Sequence, residues 1–303
     1  MNETNTSAVV RVDLRAFFTI GFQDAPNGLW LGVHKLPRKY LFPRFVSTCL
    51  DKGLSLVAIT TEDDKVVRYS PEDRFGFLAQ REIMYPYSNI YQRERIDDNL
   101  FKVTRMRDNK VLFVLNSETV HAPQGESWGG LKLQVVGKNR IQRYATLNHT
   151  ILACNNQGLL TFLTGITRKK AQSLGPIDLV ASLCYGMITH DANNIWLGKK
   201  SSNKVAREVA GFYEKPGIAV SSAYWPEEMG QAHIELPANY LALADIDSTP
   251  RLLNRLKNAL NKEEYCCVQN YHNPFRVFWT RWLLAKYGQG RRRFAGDSAS
   301  SYN

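Results

Sequence analysis

Pro43-Arg44-Phe45-Val46-Ser47-Thr48-Cys49-Leu50-Asp51-Lys52, then Gly53, then Leu54-Ser55-Leu56-Val57-Ala58-Ile59-Thr60: this stretch decides the fold class. The first ten residues read as a helix, with proline tolerated in its first turn and glycine just past its C-terminus. The last seven read as a strand, apolar enough to be buried on both faces. A shorter β-rich run, Val9-Val10-Arg11-Val12, comes before the helix. Strand, helix, glycine and strand in that order describe a βαβ unit, whose two strands lie parallel in one sheet.

The alternation continues on the C-terminal side. Residues 65–110 are the least regular part, with a helix expected near Pro71 to Arg81. Phe101 to Met106 and Lys110 to Leu115 read as a hairpin around Asp108-Asn109. Strands are expected over Leu131 to Val136, Leu159 to Leu163, Ile177 to Ser182 and Ile218 to Ser221, and helices over Tyr144 to Asn155 and Asn203 to Tyr213. A last helix, Thr249 to Leu260, starts with Ser248 at its cap and Pro250 in its first turn. Gly288 to Asn303, rich in Gly, Ser and Arg, is expected to fray. No internal repeat is visible. The pattern predicts one α/β domain over 8–265, followed over 266–303 by a basic, aromatic C-terminal helix and tail.

The chain has 303 residues, and a hydrophobic fraction of 44% is enough for a sizeable core. No run of about 20 apolar residues marks a transmembrane segment. Met1-Asn2-Glu3-Thr4-Asn5-Thr6 has neither a basic leader nor an apolar stretch. The five cysteines, Cys49, Cys154, Cys184, Cys266 and Cys267, are odd in number and lack metal-type spacing. Together these features predict a reduced, cytoplasmic protein. The 39 basic residues against 28 acidic ones leave a net charge of +11. Such a balance suits nucleic acid or anionic headgroups as partners, and is also found in ordinary basic enzymes.

Five landmarks stand at expected strand ends. They are Asp13-Leu14-Arg15-Ala16-Phe17; Ala58-Ile59-Thr60-Thr61-Glu62-Asp63; Ser117-Glu118; Gly158-Leu159 through Leu163-Thr164-Gly165; and Ser221-Ser222-Ala223-Tyr224 with Pro226-Glu227-Glu228-Met229-Gly230 behind it. In order and spacing they resemble the metal-site motifs of the PHP (polymerase and histidinol phosphatase) family. The resemblance implies a distorted (β/α)7-type, TIM-like barrel. It also implies a site at the C-terminal ends of the strands, where the family holds up to three divalent metals. Measured against those motifs, Arg15 and Phe17 replace two histidines, Glu62 and Thr164 one each, and Ser222 and Tyr224 an aspartate and a histidine. Glu118 alone matches a family ligand.

These substitutions oppose a metal cluster. Phe17 cannot ligate, and Arg15 is a permanent cation where a cation should bind. Two unit charges about 4 Å apart repel by roughly 4 kcal/mol at an effective dielectric near 20. Thr164, Ser222 and Tyr224 are poor ligands for a hydrolytic metal. The expectation is that Arg15 serves as the positive centre in place of a metal, paired with Glu118 or Glu62. The histidines, His34, His121, His149, His190, His233 and His272, are scattered without helical or strand pairing, and His190-Asp191 reads as a loop feature. No P-loop, nucleophile elbow, His-Glu-x-x-His or dinucleotide fingerprint is present.

From Pro274 to Ala295 the chain carries Arg276, Arg281, Lys286, Arg291, Arg292 and Arg293 and no acidic residue. Phe275, Phe278, Trp279, Trp282 and Leu283 fall at helical spacing on one stripe. Two readings stand: the stripe packs on the barrel, or the segment docks on RNA, DNA or an anionic membrane. The sequence thus points to a catalytically inactive, PHP-like binding or scaffold module for nucleic acid or another phosphate-bearing ligand, with no cofactor. The alternatives are a phosphoesterase using a reduced divalent-metal site at Glu62 and Glu118, and a structural subunit whose basic tail joins a larger assembly.

Overall fold

In a computed structural model of the protein, β1 (Val9–Ala16), α1 (Arg38–Asp51) and β2 (Leu54–Glu62) form the expected βαβ unit with parallel strands. The structure describes residues 9–17, 38–62, 75, 87–122, 131–138, 141–142, 144, 146–167, 174–195 and 197–279. The helix expected near 71–81 lies outside them except for buried Phe75, and the tail over 288–303 lies outside altogether. Helix α1 begins at Arg38, earlier than expected, so Pro43 lies inside it. Its Phe45, Val46, Cys49 and Leu50 pack on Val57 and Ile59 of β2. Gly53, at φ +74°, makes the turn into β2 that a side chain would strain.

Seven strands carry the barrel wall in the order β1-β2-β5-β6-β7-β8-β9. The later ones are β5 (Lys110–His121), β6 (Lys132–Val136), β7 (Leu160–Thr164), β8 (Gly186–Asp191) and β9 (Gly217–Val220). All run parallel except β6, which is antiparallel to both neighbours and distorts the barrel. The wall closes where β9 runs on to meet β1. Ala16 and Ala223 form a parallel bridge, the Phe17 amide donates to the Ala223 carbonyl at 2.8 Å, and the Ser222 amide donates to the Arg15 carbonyl at 2.8 Å.

Closure is direct only in the upper half of that seam. The lower half of β1 pairs instead with β10 (Ala232–Pro237), antiparallel, and β10 pairs with β11 (Cys266–Gln269). The sheet therefore runs on past residue 265. A second split divides β5, whose lower half pairs with the ribbon of β3 (Tyr91–Arg95) and β4 (Leu100–Arg105) and whose upper half pairs with β6. The hairpin around Asp108-Asn109 is the β4–β5 turn, with Asn109 left-handed at φ 54°.

Helices α2 (Leu147–Asn156), α3 (Leu174–Leu183) and α4 (Leu197–Phe212) cover the wall between β6 and β9. The Thr146 hydroxyl caps α2, accepting from the His149 amide at 3.3 Å. Ile177 to Ser182, a strand by its sequence pattern, is part of α3. A six-residue apolar run is too short for periodicity to separate strand from helix. Its exposure is helical, with Asp178 and Leu179 outside and Val180 and Ala181 in the core. The strand of this unit is β8, just beyond. The last long helix, α5 (Thr249–Asn261), buries Leu252, Leu253, Leu256, Ala259 and Leu260. Ser248 makes no side-chain cap. Asp97, from the β3–β4 turn, accepts instead from the Thr249 amide at 2.6 Å and hydroxyl at 2.8 Å.

Candidate functional site at the C-terminal mouth of the barrel

The strand ends converge at the seam between β1 and β9. An irregularity in β1 between Asp13 and Ala16 lets neighbouring residues serve different partners. Buried Asp13 accepts from the amides of Ser221 at 3.1 Å, Gly230 at 3.1 Å and Arg15 at 3.3 Å. Burial raises its carboxyl above the usual 3.8, against the lowering effect of the Ser221, Gly230 and Arg15 bonds. Asp13 ties β1 to the turn after β9. It is a closure residue.

Arg15 occupies the mouth. Its Nη1 donates to Asp191 Oδ2 at 3.0 Å and to Ser222 Oγ at 3.2 Å. The Arg15 side chain is 5% exposed and that of Asp191 14%. The guanidinium carbon lies 4.8 Å from the centre of the Phe17 ring, and Phe17 stacks on Tyr224 with centroids 5.0 Å apart. Arg15 is thus clamped between a carboxylate, a hydroxyl and an aromatic face, a combination that suits the planar guanidinium. Its Nε is buried without a hydrogen-bond partner among the described residues. Ser222, at φ 50°, holds a left-handed backbone that only Gly, Asn and Asp adopt easily. The Ser222 carbonyl accepts from Asn193 Nδ2, and the Asn193 amide donates to Asp191 Oδ1 at 2.9 Å.

Behind this cluster lie two buried histidines. His190 Nε2 donates to the Asn270 carbonyl at 3.2 Å, and burial holds its imidazole below the usual 6.5. His272 Nε2 donates to the Ser221 carbonyl at 2.6 Å, and its amide donates to the Ala192 carbonyl at 3.1 Å. The segment after β11 therefore packs across the ends of β8 and β9.

Of the residues predicted for the site, Arg15, Phe17, Ser222 and Tyr224 come together. Glu118 does not join them. Along β5 it alternates with Ser117 and Thr119, whose hydroxyls bond to Thr60 at 2.8 Å and to Gln134 at 2.8 Å. Glu118 faces the other way, and its Oε2 accepts from the Ile141 amide at 2.7 Å. There, burial and then the Glu118 carboxylate push the Cys154 thiol of α2 up to about 11. Of the two carboxylates expected to pair with Arg15, Glu118 or Glu62, Glu118 is not its partner; Arg15 pairs with Asp191. Thr164 is buried at the end of β7 opposite Lys132, with no hydrogen bond to the Arg15 cluster among the described residues. Glu62 ends β2, and its side chain lies outside the described residues. Arg276 approaches Glu227 at 3.6 Å, while Arg281, Arg291, Arg292 and Arg293 lie outside the described residues.

The residues missed by sequence reasoning are Asp191 and Asn193, together with the closure role of Asp13. A signal for Asp191 existed. His190-Asp191, expected as a loop feature, ends β8 instead, and the run Gly186 to Asp191 puts Asp191 at a strand's C-terminal end, where barrel sites are built.

The donor set at the mouth does not fit a divalent metal. Among the described residues it offers one carboxylate already paired with a permanent cation and one hydroxyl that accepts from that cation. Among the described residues, no three His, Cys, Asp or Glu side chains converge in a way that could hold a metal ion. Ser222 Oγ receives a proton donor from Arg15 rather than facing a base, so this contact does not activate it as a nucleophile. Among the described residues, no helix is long and apolar enough to cross a membrane.

No protein-family model matches the chain, and no curated protein matches it. Among solved structures, the chain is similar to a two-domain protein from Bacteroides vulgatus that contains a predicted PHP-like metal-dependent phosphoesterase. Identity is 10% and the TM-score 0.46, over 87% of this chain and 65% of that one, so the chain spans less than two thirds of that protein. It is also similar to PsfC from Pseudomonas syringae, with 9% identity and a TM-score of 0.49 over 94% of this chain and 99% of that one.

Proposed function

We propose that the chain is a catalytically inactive, PHP-like barrel acting as a binding or scaffold module for a phosphate-bearing partner, nucleic acid among them. One observation carries the reading. The place where strand ends would gather metal ligands is filled by the Arg15–Asp191 ion pair, covered by the Phe17–Tyr224 stack. A cation whose charge is already balanced by Asp191 does not recruit a metal, and the pairing takes up the carboxylate that the described residues bring to it. The net charge of +11 supports an acidic partner through long-range attraction, with no demand on the barrel's chemistry.

The test is the metal content of purified, untagged protein after incubation with manganese and with zinc, read beside hydrolysis of a chromogenic phosphodiester. The expected result is far less than one ion per chain and no turnover above buffer. A tightly held ion with turnover abolished by Glu118→Gln would establish the reduced-site phosphoesterase instead.

A further inference from the structure

The chain after β11 lies as a strap across the ends of β8 and β9. His272 grips both strands: its amide donates to the Ala192 carbonyl at 3.1 Å, beside Asp191, and its ring to the Ser221 carbonyl at 2.6 Å, beside Ser222. Tyr271 rests its ring on that of His190, with centroids 4.7 Å apart, and its carbonyl accepts from Gln231 Nε2 at 3.4 Å. Apolar anchoring is thin. From Tyr271 to Trp279, His272 and Val277 are the buried residues, and the others are partly or fully exposed. A segment held by hydrogen bonds over so little buried apolar surface opens at lower cost than the strands beneath it.

One of the ties depends on a proton. Asn270 offers a carbonyl to His190 Nε2, so Nε2 carries the hydrogen and the neutral ring leaves Nδ1 bare. Buried Asn203 of α4 faces that bare nitrogen with its Nδ2, at 3.5 Å. Turning the Asn203 amide to offer its oxygen would forfeit two bonds, because Oδ1 accepts from the Asp191 amide at 3.3 Å and from Asn194 Nδ2 at 2.8 Å. A second proton on His190 would therefore point at an N–H group. It is accommodated only by giving up the Asn270 bond or the bracket that Asn203 forms on the Asp191 main chain, where Nδ2 also reaches the Asp191 carbonyl at 3.3 Å. Burial does most to lower the His190 pKa, the Asn270 bond and Asp191 act against it, and Arg207 of α4 and His272 of the strap add to it.

We infer that His190 is a latch worked by its proton: neutral, it holds the strap over 270–277 on the ends of β8 and β9; protonated, it releases the strap and loosens the Asn203 bracket behind Asp191. The inference adds regulation to the binding-module reading and rests on its account of the mouth. Lifting the strap takes Tyr271 and the Asn270 carbonyl off the ring and gives it to water, where it gains a proton at the ordinary histidine value. The latch is therefore fully set above about pH 6.5, and release becomes about tenfold easier for each pH unit below it, down to the lower value of the latched ring.

The experiment is hydrogen exchange of the full chain, read by mass spectrometry between about pH 7.5 and 5, with each rate referred to the intrinsic rate at that pH. Peptides covering 270–279 should exchange ahead of those covering β2 and β5 throughout, and should lose protection by about ten- to thirtyfold across the range. His190→Gln keeps a donor for Asn270 and cannot charge, so it should remove the loss. Asn203→Asp sets a carboxylate opposite Nδ1, so acid should keep or tighten the strap; a merely structural Asn203 would not reverse the pH dependence. Protection in the parent that does not fall with pH overturns the latch. So does a fall that persists unchanged in both variants, or a strap that exchanges no faster than β2 and β5. An acid-released strap on a protein that holds metal and hydrolyses phosphodiesters would instead overturn the binding-module reading and leave the latch in place.

Discussion

Removing either half of the Arg15–Asp191 pair should damage the protein more than removing both. Asp191→Leu leaves a permanently charged guanidinium, 5% exposed, with the Ser222 hydroxyl as its remaining acceptor among the described residues. Stranding a buried charge costs about 3 to 5 kcal/mol, and the upper half of that range fits a side chain this enclosed. Arg15→Leu strands Asp191 instead, which is 14% exposed and keeps the Asn193 amide at 2.9 Å, so about 2 kcal/mol is expected. The double variant Arg15→Leu/Asp191→Leu removes both charges and adds apolar surface beneath Phe17, so it should lie within about 1 kcal/mol of the parent. Urea unfolding of the four proteins, with unchanged m-values, reads these differences. The cycle should show a coupling of about 3 kcal/mol or more. Single costs that add up to the double within about 0.5 kcal/mol would refute the clamped pair.

Two further effects are expected. Burial lowers the His190 pKa, so the folded protein resists protonating it; stability is full above the unfolded value of about 6.5 and falls as pH drops toward the lower folded value. Unfolding followed from pH 7.5 to 5 should show this loss, and His190→Gln should flatten it; an equal slope in both proteins would contradict the assignment. A Cβ at Gly186 would stand 2.6 Å from the Pro216 carbonyl and 3.0 Å from the Phe162 ring, so Gly186→Ala should cost about 2 kcal/mol by forcing β8 and β9 apart. Gly211→Ala, in α4 with nothing within 4 Å of the new methyl, should instead stabilise by about 0.5 to 1 kcal/mol. Thermal unfolding that moves both variants the same way would contradict this contrast.

How much of this was legible in the sequence depended on where the deciding contacts lie along the chain. The βαβ opening could be read because helix, glycine and strand are local signals, each settled within a turn or two. The strands β10 and β11 carry no such signal. The pairing of β10 with β1 is fixed by partners more than 200 residues away, Val12 with Ile234 for example, β11 pairs in turn with β10, and short mixed sequences such as Ala232–Pro237 only declare themselves beside such partners. The site was half legible for a similar reason. Motif positions brought Arg15, Phe17, Ser222 and Tyr224 to the right strand ends. Which way a strand residue points depends on register, and a one-residue offset sends Glu118 to the helical layer while its neighbours Ser117 and Thr119 line the interior network. The Ser248 cap failed likewise: the sequence signal was sound, but Asp97, 152 residues away in the chain, reaches the helix N-terminus first.

The seam between β1 and β9 closes the barrel wall through its main chain. A metal cluster at the mouth would cross-link strand ends through side chains. Here the same ends are joined by main-chain bonds from Ser222 to Arg15 and from Phe17 to Ala223, with the Asp13 carboxylate gathering the Ser221 and Gly230 amides. Lys52 adds a tie from below, donating to the carbonyls of Glu227 and Met229 and fastening the turn after β9 to the end of α1. Each neutral bond is worth only about 1 kcal/mol, but they act on one narrow seam, and the charged groups at Asp13 and Lys52 strengthen those they make. Closure therefore depends on Asp13 and on backbone geometry, whereas the character of the mouth depends on Arg15, Phe17, Ser222 and Tyr224. Because separate residues carry the two tasks, ligands can be exchanged for a guanidinium and an aromatic stack without opening the wall. The same division makes the mouth the place where binding chemistry can change while the barrel stays closed.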